Sequence, residues 1–181
     1  NSISASGAYS AVGGGTSNAI TGTGVFIGGG RGNTASAYYT SISGGCGNTA
    51  SANYVTVSGG FANSASGCYS VISGGCTNNA SGPYSSIGGG RANTASGYCS
   101  AVGGGFTNGA NGDSSTIGGG SRNSASGYYA TIAGGFCNAA SVYATTISGG
   151  YDNTASAYYA SVGGGSTNTA SGTYSTIAGG E

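Results

Sequence analysis

A chain of 181 residues with 42 glycines, 14 tyrosines and one proline does not have the composition of an ordinary globular domain. Only 3% of the residues are charged and the net charge is zero, which excludes a basic nucleic-acid surface and an acidic tail. The single proline and the lack of a collagen-type period exclude collagen, and 10% aromatic residues at zero net charge argue against disorder.

The chain repeats every 15 residues, twelve times, with one residue left over. When the repeat is numbered from Asn1, positions fourteen and fifteen are glycine in every repeat and position twelve is always Ile or Val. Position five is Ala except for Ile20 in the second repeat. This period is too short for a helical pair or a propeller blade, and the recurring Gly-Gly pair disfavours helix. We therefore predict an all-β fold, a parallel β-solenoid (β-roll) of twelve 15-residue coils.

The first predicted strand of each repeat covers positions three to five, where asparagine and alanine face into the coil. Because a buried amide needs hydrogen-bond partners, the position-three asparagines are predicted to form an inner ladder, each amide bonding its neighbours above and below. The alternative is that they are exposed turn residues. They are Asn18, Asn33, Asn48, Asn63, Asn78, Asn93, Asn108, Asn123, Asn138, Asn153 and Asn168.

Glycine at position seven is predicted to form the next corner, followed by outward tyrosine at position nine. The second predicted strand has positions ten and twelve facing inward, and the glycine run at positions thirteen to fifteen forms the last corner. The outward position-nine tyrosines are Tyr9, Tyr39, Tyr54, Tyr69, Tyr84, Tyr129, Tyr159 and Tyr174, and position eight adds Tyr38, Tyr98, Tyr128, Tyr143 and Tyr158.

An exposed aromatic stripe of this length is typical of an interface. We expect copies of the same chain, or bound glycans, to cover it; the alternative is an aromatic face open to water on a monomer. Residues 1–181 are predicted to form one solenoid without caps, because the first and last repeats are as regular as the others. Such a solenoid is either a segment of a longer fibre or a subunit that stacks into a filament.

The run from Ala95 to Asn108, A-S-G-Y-C-S-A-V-G-G-G-F-T-N, resembles the head repeats of YadA-like trimeric autotransporter adhesins. It is also similar to the glycine-rich repeats of bacteriophage tail fibres and bacterial surface fibres. The resemblance covers the whole chain. It implies a left-handed β-roll with three chains side by side, in an extracellular or cell-surface rod.

Catalytic chemistry is not expected from this composition. Histidine and lysine are absent, and the only carboxylates, Asp113, Asp152 and Glu181, lie in different repeats. No catalytic residue, metal site, cofactor, nucleic-acid partner or membrane-inserted segment is predicted.

The five cysteines do not suggest a disulfide framework. Cys46 and Cys76 share position one but are predicted to lie two coils apart, farther than a disulfide allows. Free or interchain thiols are therefore expected at Cys46, Cys68, Cys76, Cys99 and Cys137. Asn79 begins the only N-glycosylation sequon, Asn79-Ala80-Ser81, and outward Ser and Thr are candidates for O-linked sugar, so a glycoprotein is a further hypothesis.

These features predict a structural protein of an extracellular fibre or filament, adhesin-like or appendage-like, that self-associates through its tyrosine-rich face. Ice binding is an alternative, because flat solenoid faces with regular threonine ladders can order water. Position eleven is the candidate ice-binding face, but its residues are irregular and include Phe26 and Val71. Carbohydrate binding on the tyrosine stripe is the third hypothesis.

Overall fold

The computed structural model describes residues 4–181, which form a β-solenoid of twelve coils and contain no helix. Each coil contributes one two-residue strand to each of two twelve-stranded parallel sheets. The predicted β-solenoid of twelve 15-residue coils is confirmed. Residues 1–3 of the predicted range lie outside the described part.

The first sheet is built from positions four and five of the repeat. It contains β1 (Ser4–Ala5), β3 (Ala19–Ile20), β5 (Thr34–Ala35), β7 (Thr49–Ala50), β9 (Ser64–Ala65), β11 (Asn79–Ala80), β13 (Thr94–Ala95), β15 (Gly109–Ala110), β17 (Ser124–Ala125), β19 (Ala139–Ala140), β21 (Thr154–Ala155) and β23 (Thr169–Ala170).

The second sheet is built from positions eleven and twelve. It contains β2 (Ala11–Val12), β4 (Phe26–Ile27), β6 (Ser41–Ile42), β8 (Thr56–Val57), β10 (Val71–Ile72), β12 (Ser86–Ile87), β14 (Ala101–Val102), β16 (Thr116–Ile117), β18 (Thr131–Ile132), β20 (Thr146–Ile147), β22 (Ser161–Val162) and β24 (Thr176–Ile177).

The register between coils is constant along the rod. Thr34 pairs with Thr49 in the first sheet and Ser41 pairs with Thr56 in the second, an offset of one repeat in each case. Residues of position one add a third, shorter ladder of parallel bridges that runs from Thr16 to Ser166. Equivalent side chains of successive coils are therefore stacked directly above one another.

The core is a thin stack of small and branched apolar side chains. Position twelve supplies buried Ile and Val, such as Ile72 and Ile87, and position five supplies buried Ala, such as Ala80 and Ala95. The predicted inward positions three, five, ten and twelve are buried in the central coils. Each coil buries little apolar area, so hydrogen bonds of the backbone and of the side-chain amides must supply much of the stability of the coil.

The corners differ in part from the sequence-based prediction. The position-seven glycines do not have a left-handed φ; a Cβ on Gly67 would lie 2.1 Å from the carbonyl oxygen of Gly82 in the next coil, so close approach explains the small residue there. The left-handed residue of this corner is at position nine, where Tyr54 and Tyr69 both have φ 60°. The backbone N–H of Tyr69 donates to the carbonyl of Asn53 at 3.0 Å, which holds the strained corner in place.

Six of the hydroxyls at position ten have no hydrogen-bond partner in the core, whereas that of Thr145 donates to the Val142 carbonyl at 2.8 Å. The six hydroxyls without a partner belong to Thr40, Ser70, Ser85, Ser100, Ser115 and Ser175. The same position is apolar in other coils, as at Val55 and Ala130, and those side chains are buried as well. The hydroxyls therefore fill space in the core without contributing a bond.

Replacing Ser85 by Ala is expected to leave the free energy of unfolding unchanged or to raise it by about 1 kcal/mol, because the variant no longer buries an unpaired hydroxyl. Urea unfolding followed by circular dichroism measures the change. Ser86→Ala, on the exposed neighbour, is the matched control and is expected to have little effect. A clear loss of stability in Ser85→Ala alone would show that the Ser85 hydroxyl has a stabilising partner.

Candidate functional site: the tyrosine edge

Tyrosines at positions eight and nine lie along one edge of the rod, at the corner between the first and second sheets. All the position-nine tyrosines named above have exposed side chains, from 44% for Tyr159 to 95% for Tyr9. Their outward placement follows from the left-handed corner, which directs position nine away from the core while position ten points inward. We call this surface the tyrosine edge.

The first tyrosine cluster spans five consecutive coils and consists of Tyr39, Tyr54, Tyr69, Tyr84 and Tyr98. Ring centroids are 4.7 Å apart between Tyr54 and Tyr69 and 4.9 Å apart between Tyr69 and Tyr84, with the planes within 6° of parallel. These distances match the spacing of parallel strands, about 4.8 Å, because each ring occupies the same position in successive coils. Tyr98 closes the stack by packing edge-on against Tyr84 at 5.4 Å.

The second tyrosine cluster consists of Tyr128, Tyr129, Tyr143, Tyr158, Tyr159 and Tyr174. Position nine is Ala144 in the middle of this cluster, and Tyr143 at position eight fills the gap. Its ring packs edge-on against Tyr129 at 5.6 Å and against Tyr159 at 5.5 Å. The cluster therefore remains continuous although its position-nine column is interrupted.

The predicted stripe is divided into these two clusters, and Tyr9 and Tyr38 belong to neither of them. Cys99 and Ser114 occupy position nine between the clusters, and Gly24 follows Tyr9 in the same column. A carboxylate oxygen of Asp113 accepts the backbone N–H of Tyr98 at 2.9 Å in the break. The two clusters thus form separate aromatic surfaces on one edge.

Stacking decides which part of each ring meets the solvent. Tyr54 and Tyr69 each have a parallel ring on both sides, so their faces are covered and their edges are exposed. Aromatic residues that bind sugars usually present an open ring face. The interior of the first cluster lacks that geometry, and it suits contact with another protein surface better than contact with a glycan.

Three tyrosines on this edge have raised pKa values. The electrostatic interaction with neighbouring Cys99 is the largest cause that raises the pKa of Tyr98, and the hydrogen bond with Tyr129 is the largest cause that raises the pKa of Tyr128. Partial burial is the first cause that raises the pKa of Tyr159. All three effects favour the neutral phenol, so these side chains are uncharged at neutral pH.

The position-three asparagines lie inside the rod and form the predicted ladder, with a bonding pattern that differs in detail. The Nδ2 group of Asn78 donates to the carbonyl oxygens of Gly74 and Gly90, both at 3.0 Å. Its Oδ1 accepts the backbone N–H of Asn93 at 3.0 Å and the Asn93 Nδ2 at 3.2 Å. The amides therefore bond mainly to backbone groups, and amide-to-amide bonds occur in only some coils. This ladder is a structural element, separate from the tyrosine edge.

The remaining candidate residues are scattered over the surface. All five cysteines are free thiols in the structure, and Phe61 stands between Cys46 and Cys76 in the position-one ladder. Asn79 has an exposed side chain on strand β11, so the sequon lies on the outer face of the first sheet.

Sequence reasoning missed a second aromatic surface along position one. The Arg91 guanidinium lies 5.2 Å from the ring centroid of Phe106, and the Phe136 and Tyr151 rings stack at 5.5 Å. The sequence signal is the recurrence of aromatic and arginine residues at position one.

Residues 4–181 contain no pocket, no group of three or more potential metal ligands, and no helix long and apolar enough to cross a membrane. Comparison with known proteins finds no family model that matches the chain and no curated protein with significant similarity to it.

Proposed function

We propose that this chain is a structural protein of an extracellular fibre or filament, and that copies of it associate through the tyrosine edge. The observation that carries the proposal is the pair of ordered, exposed tyrosine clusters on one edge of a rod with only 3% charged residues. The half-exposed tyrosines of each cluster present on the order of 500 Å² of largely apolar surface. Isolated monomers rarely expose contiguous apolar patches larger than a few hundred Å².

The chemistry of the edge favours a second copy of the chain as the partner. The clusters carry no charge that would select an oppositely charged protein, and their exposed ring edges can pack against the ring edges of an identical cluster. The constant spacing of the coils allows two such clusters to meet in register over several coils. Side-by-side association, as in the trimer that the resemblance implies, uses this contact, whereas end-to-end stacking into a filament would use the ends of the rod. The extracellular location rests on the resemblance to surface-fibre repeats.

The triple variant Tyr54→Asn, Tyr69→Asn, Tyr84→Asn is expected to shift the assembly toward monomer, because it removes most of the first cluster and leaves only the second cluster to make the contact. Asparagine tolerates the left-handed φ of position nine, so the corner should be retained. Sedimentation velocity at micromolar concentration measures the change. The matched control is Phe61→Asn, Phe106→Asn, Phe136→Asn on the position-one ladder, which is expected to stay associated. A monomeric wild-type protein, or equal dissociation of both triple variants, would contradict the proposal.

The same test has a second readout in alkaline solution. The raised folded pKa values mean that the stabilising contribution of the neutral phenols is complete below pH 10.0 and is lost as pH rises through those higher values. Phenolate charges on facing clusters repel each other, so the assembly is expected to dissociate together with the rise in tyrosinate absorbance. An assembly that persists after full ionisation of its tyrosines would count against this contact.

A further inference from the structure

The outer face of the first sheet carries two parallel columns of hydroxyl groups. Position five is buried, so positions four and six on either side of it point to the solvent. We call this surface the hydroxyl face. Its position-four hydroxyls belong to Ser4, Thr34, Thr49, Ser64, Thr94, Ser124, Thr154 and Thr169, and its position-six hydroxyls belong to Ser6, Thr21, Ser36, Ser51, Ser66, Ser81, Ser96, Ser126, Ser141, Ser156 and Ser171.

Most of these hydroxyls have no partner in the protein. Within residues 4–181, only Ser6, Ser96 and Ser141 donate from this face to another protein group. The other hydroxyls on the face must satisfy their donor and acceptor capacity with water. The face is therefore a regular set of water-binding groups held on a rigid sheet.

The spacing of the hydroxyl columns is set by the sheet itself. Strands of neighbouring coils are about 4.8 Å apart, and two positions along a strand span about 6.6 Å. The Tyr54–Tyr69 and Tyr69–Tyr84 ring distances of 4.7 Å and 4.9 Å report the same coil spacing. On the prism face of hexagonal ice, oxygen atoms repeat along two perpendicular directions. The two repeat distances are similar to the coil spacing and to the two-residue spacing along the strand. Water molecules bound to this face would thus lie in an arrangement compatible with that lattice.

The charges of the chain avoid this face. Arg31 and Arg91 lie at position one, and Arg122 and Asp152 lie at position two. Asp113 lies at position eight. A charged side chain would orient water around itself and disturb a lattice-like layer, so the lack of charge at positions four and six is a favourable property for binding ordered water.

We propose that the hydroxyl face binds the surface of ice crystals. The face is most complete between Thr34 and Ser96, where every coil presents polar side chains at both positions, with Asn79 as the one amide. Position eleven, the earlier candidate on the second sheet, offers a poorer surface. It is interrupted by Phe26 and Val71, and its neighbour at position thirteen has only glycine, serine or alanine.

The test compares two threonine-to-tyrosine variants on opposite sheets. Thr94→Tyr places a bulky ring in the hydroxyl face, and Thr116→Tyr places the same ring on the second sheet, in the next coil. The measurements are incorporation of the protein into slowly growing ice and inhibition of ice recrystallisation, with circular dichroism melting curves to show that each variant is folded. Wild type and Thr116→Tyr are expected to enter the ice and to inhibit recrystallisation, and Thr94→Tyr is expected to lose both effects.

Two results would overturn the inference: exclusion of the wild-type protein from ice, or equal loss of ice binding in Thr116→Tyr. The inference is independent of the proposed self-association. The triple variant of Tyr54, Tyr69 and Tyr84 leaves the hydroxyl face intact and is expected to retain ice incorporation, so failure of either proposal can be recognised without the other.

Discussion

Replacing Asn78 by alanine is expected to lower the free energy of unfolding by about 3 kcal/mol or more. The variant removes both Nδ2 bonds, to Gly74 and Gly90, and the Oδ1 acceptor of the Asn93 backbone N–H. Asn78 and Asn93 are both buried, so the Asn93 N–H is left without water or protein to accept it. Leaving a buried donor unpaired lowers the free energy of unfolding by more than the net contribution of one hydrogen bond. Substitution at this site is therefore expected to be more destabilising than substitution at the apolar positions beside it.

Asn79→Ala provides the matched control. Asn79 is the next residue in the chain, carries the same side chain, and is exposed on strand β11 without a side-chain hydrogen bond. Its replacement is expected to change the free energy of unfolding by no more than about 0.5 kcal/mol. Urea unfolding measures both variants, and amide hydrogen exchange at Asn93 locates the damage. Equal stability of the two variants would show that the inner ladder contributes little.

The period of 15 residues is sufficient to predict the solenoid, because only a coil that stacks on copies of itself needs the same residue type at the same place every turn. Ile, Val, Ala and Asn at fixed positions then identify the inside, since these positions alternate as strands do. Two features could not be obtained in this way. Tyrosine has no preference for a left-handed φ, so nothing in its identity marks Tyr54 as a corner residue. The Ser85 hydroxyl is buried without a partner, which is an exception to the general rule that buried polar groups are hydrogen-bonded, so its position could not be predicted from that rule.

The candidate surfaces were predictable to a different extent. The tyrosine edge follows from positions eight and nine of the repeat, and the division into two clusters follows from Cys99 and Ser114 at position nine. The parallel stacking of Tyr54 on Tyr69 requires the coil spacing, and only the structure supplies the ring orientation that exposes edges. Predicting the hydroxyl face requires knowing that the side chains of positions four and six both point outward while that of position five is buried. This alternation can be seen only when the strand has been placed at positions four and five.

Replacing Gly45 by alanine is expected to destabilise the rod by about 3 kcal/mol or more, through steric overlap and backbone strain together. Gly45 has φ +89°, and a Cβ there would lie 2.2 Å from the Gly60 carbonyl oxygen and 2.7 Å from the Nδ2 of Asn48. The Gly60 oxygen belongs to the backbone of the next coil and cannot move aside without disturbing the stacking of the coils.

Gly44→Ala is the control on the adjacent residue. Gly44 does not have a positive φ, and a Cβ there would meet nothing within 4 Å. Its replacement is expected to be neutral or to stabilise by up to about 1 kcal/mol, because alanine reduces the entropy of the unfolded chain. Thermal unfolding of both variants measures the difference, and equal behaviour would show that the Gly-Gly pair is not required at its second position.

The Gly45 site also connects the glycine corner to the asparagine ladder. The Nδ2 group of Asn48 donates to the carbonyls of Gly44 and Gly60, both at 3.0 Å, and a methyl group on Gly45 would push that amide away from both acceptors. Gly45→Ala and Asn48→Ala therefore remove some of the same hydrogen bonds. The decrease in the free energy of unfolding of the double variant is expected to be smaller than the sum of the decreases in the two single variants. Strict addition would mean that the glycine is needed only for its backbone conformation and for the space beside the Gly60 carbonyl oxygen. A shortfall would show that the second glycine of each pair is retained in every coil because the inner amide needs the space beside it.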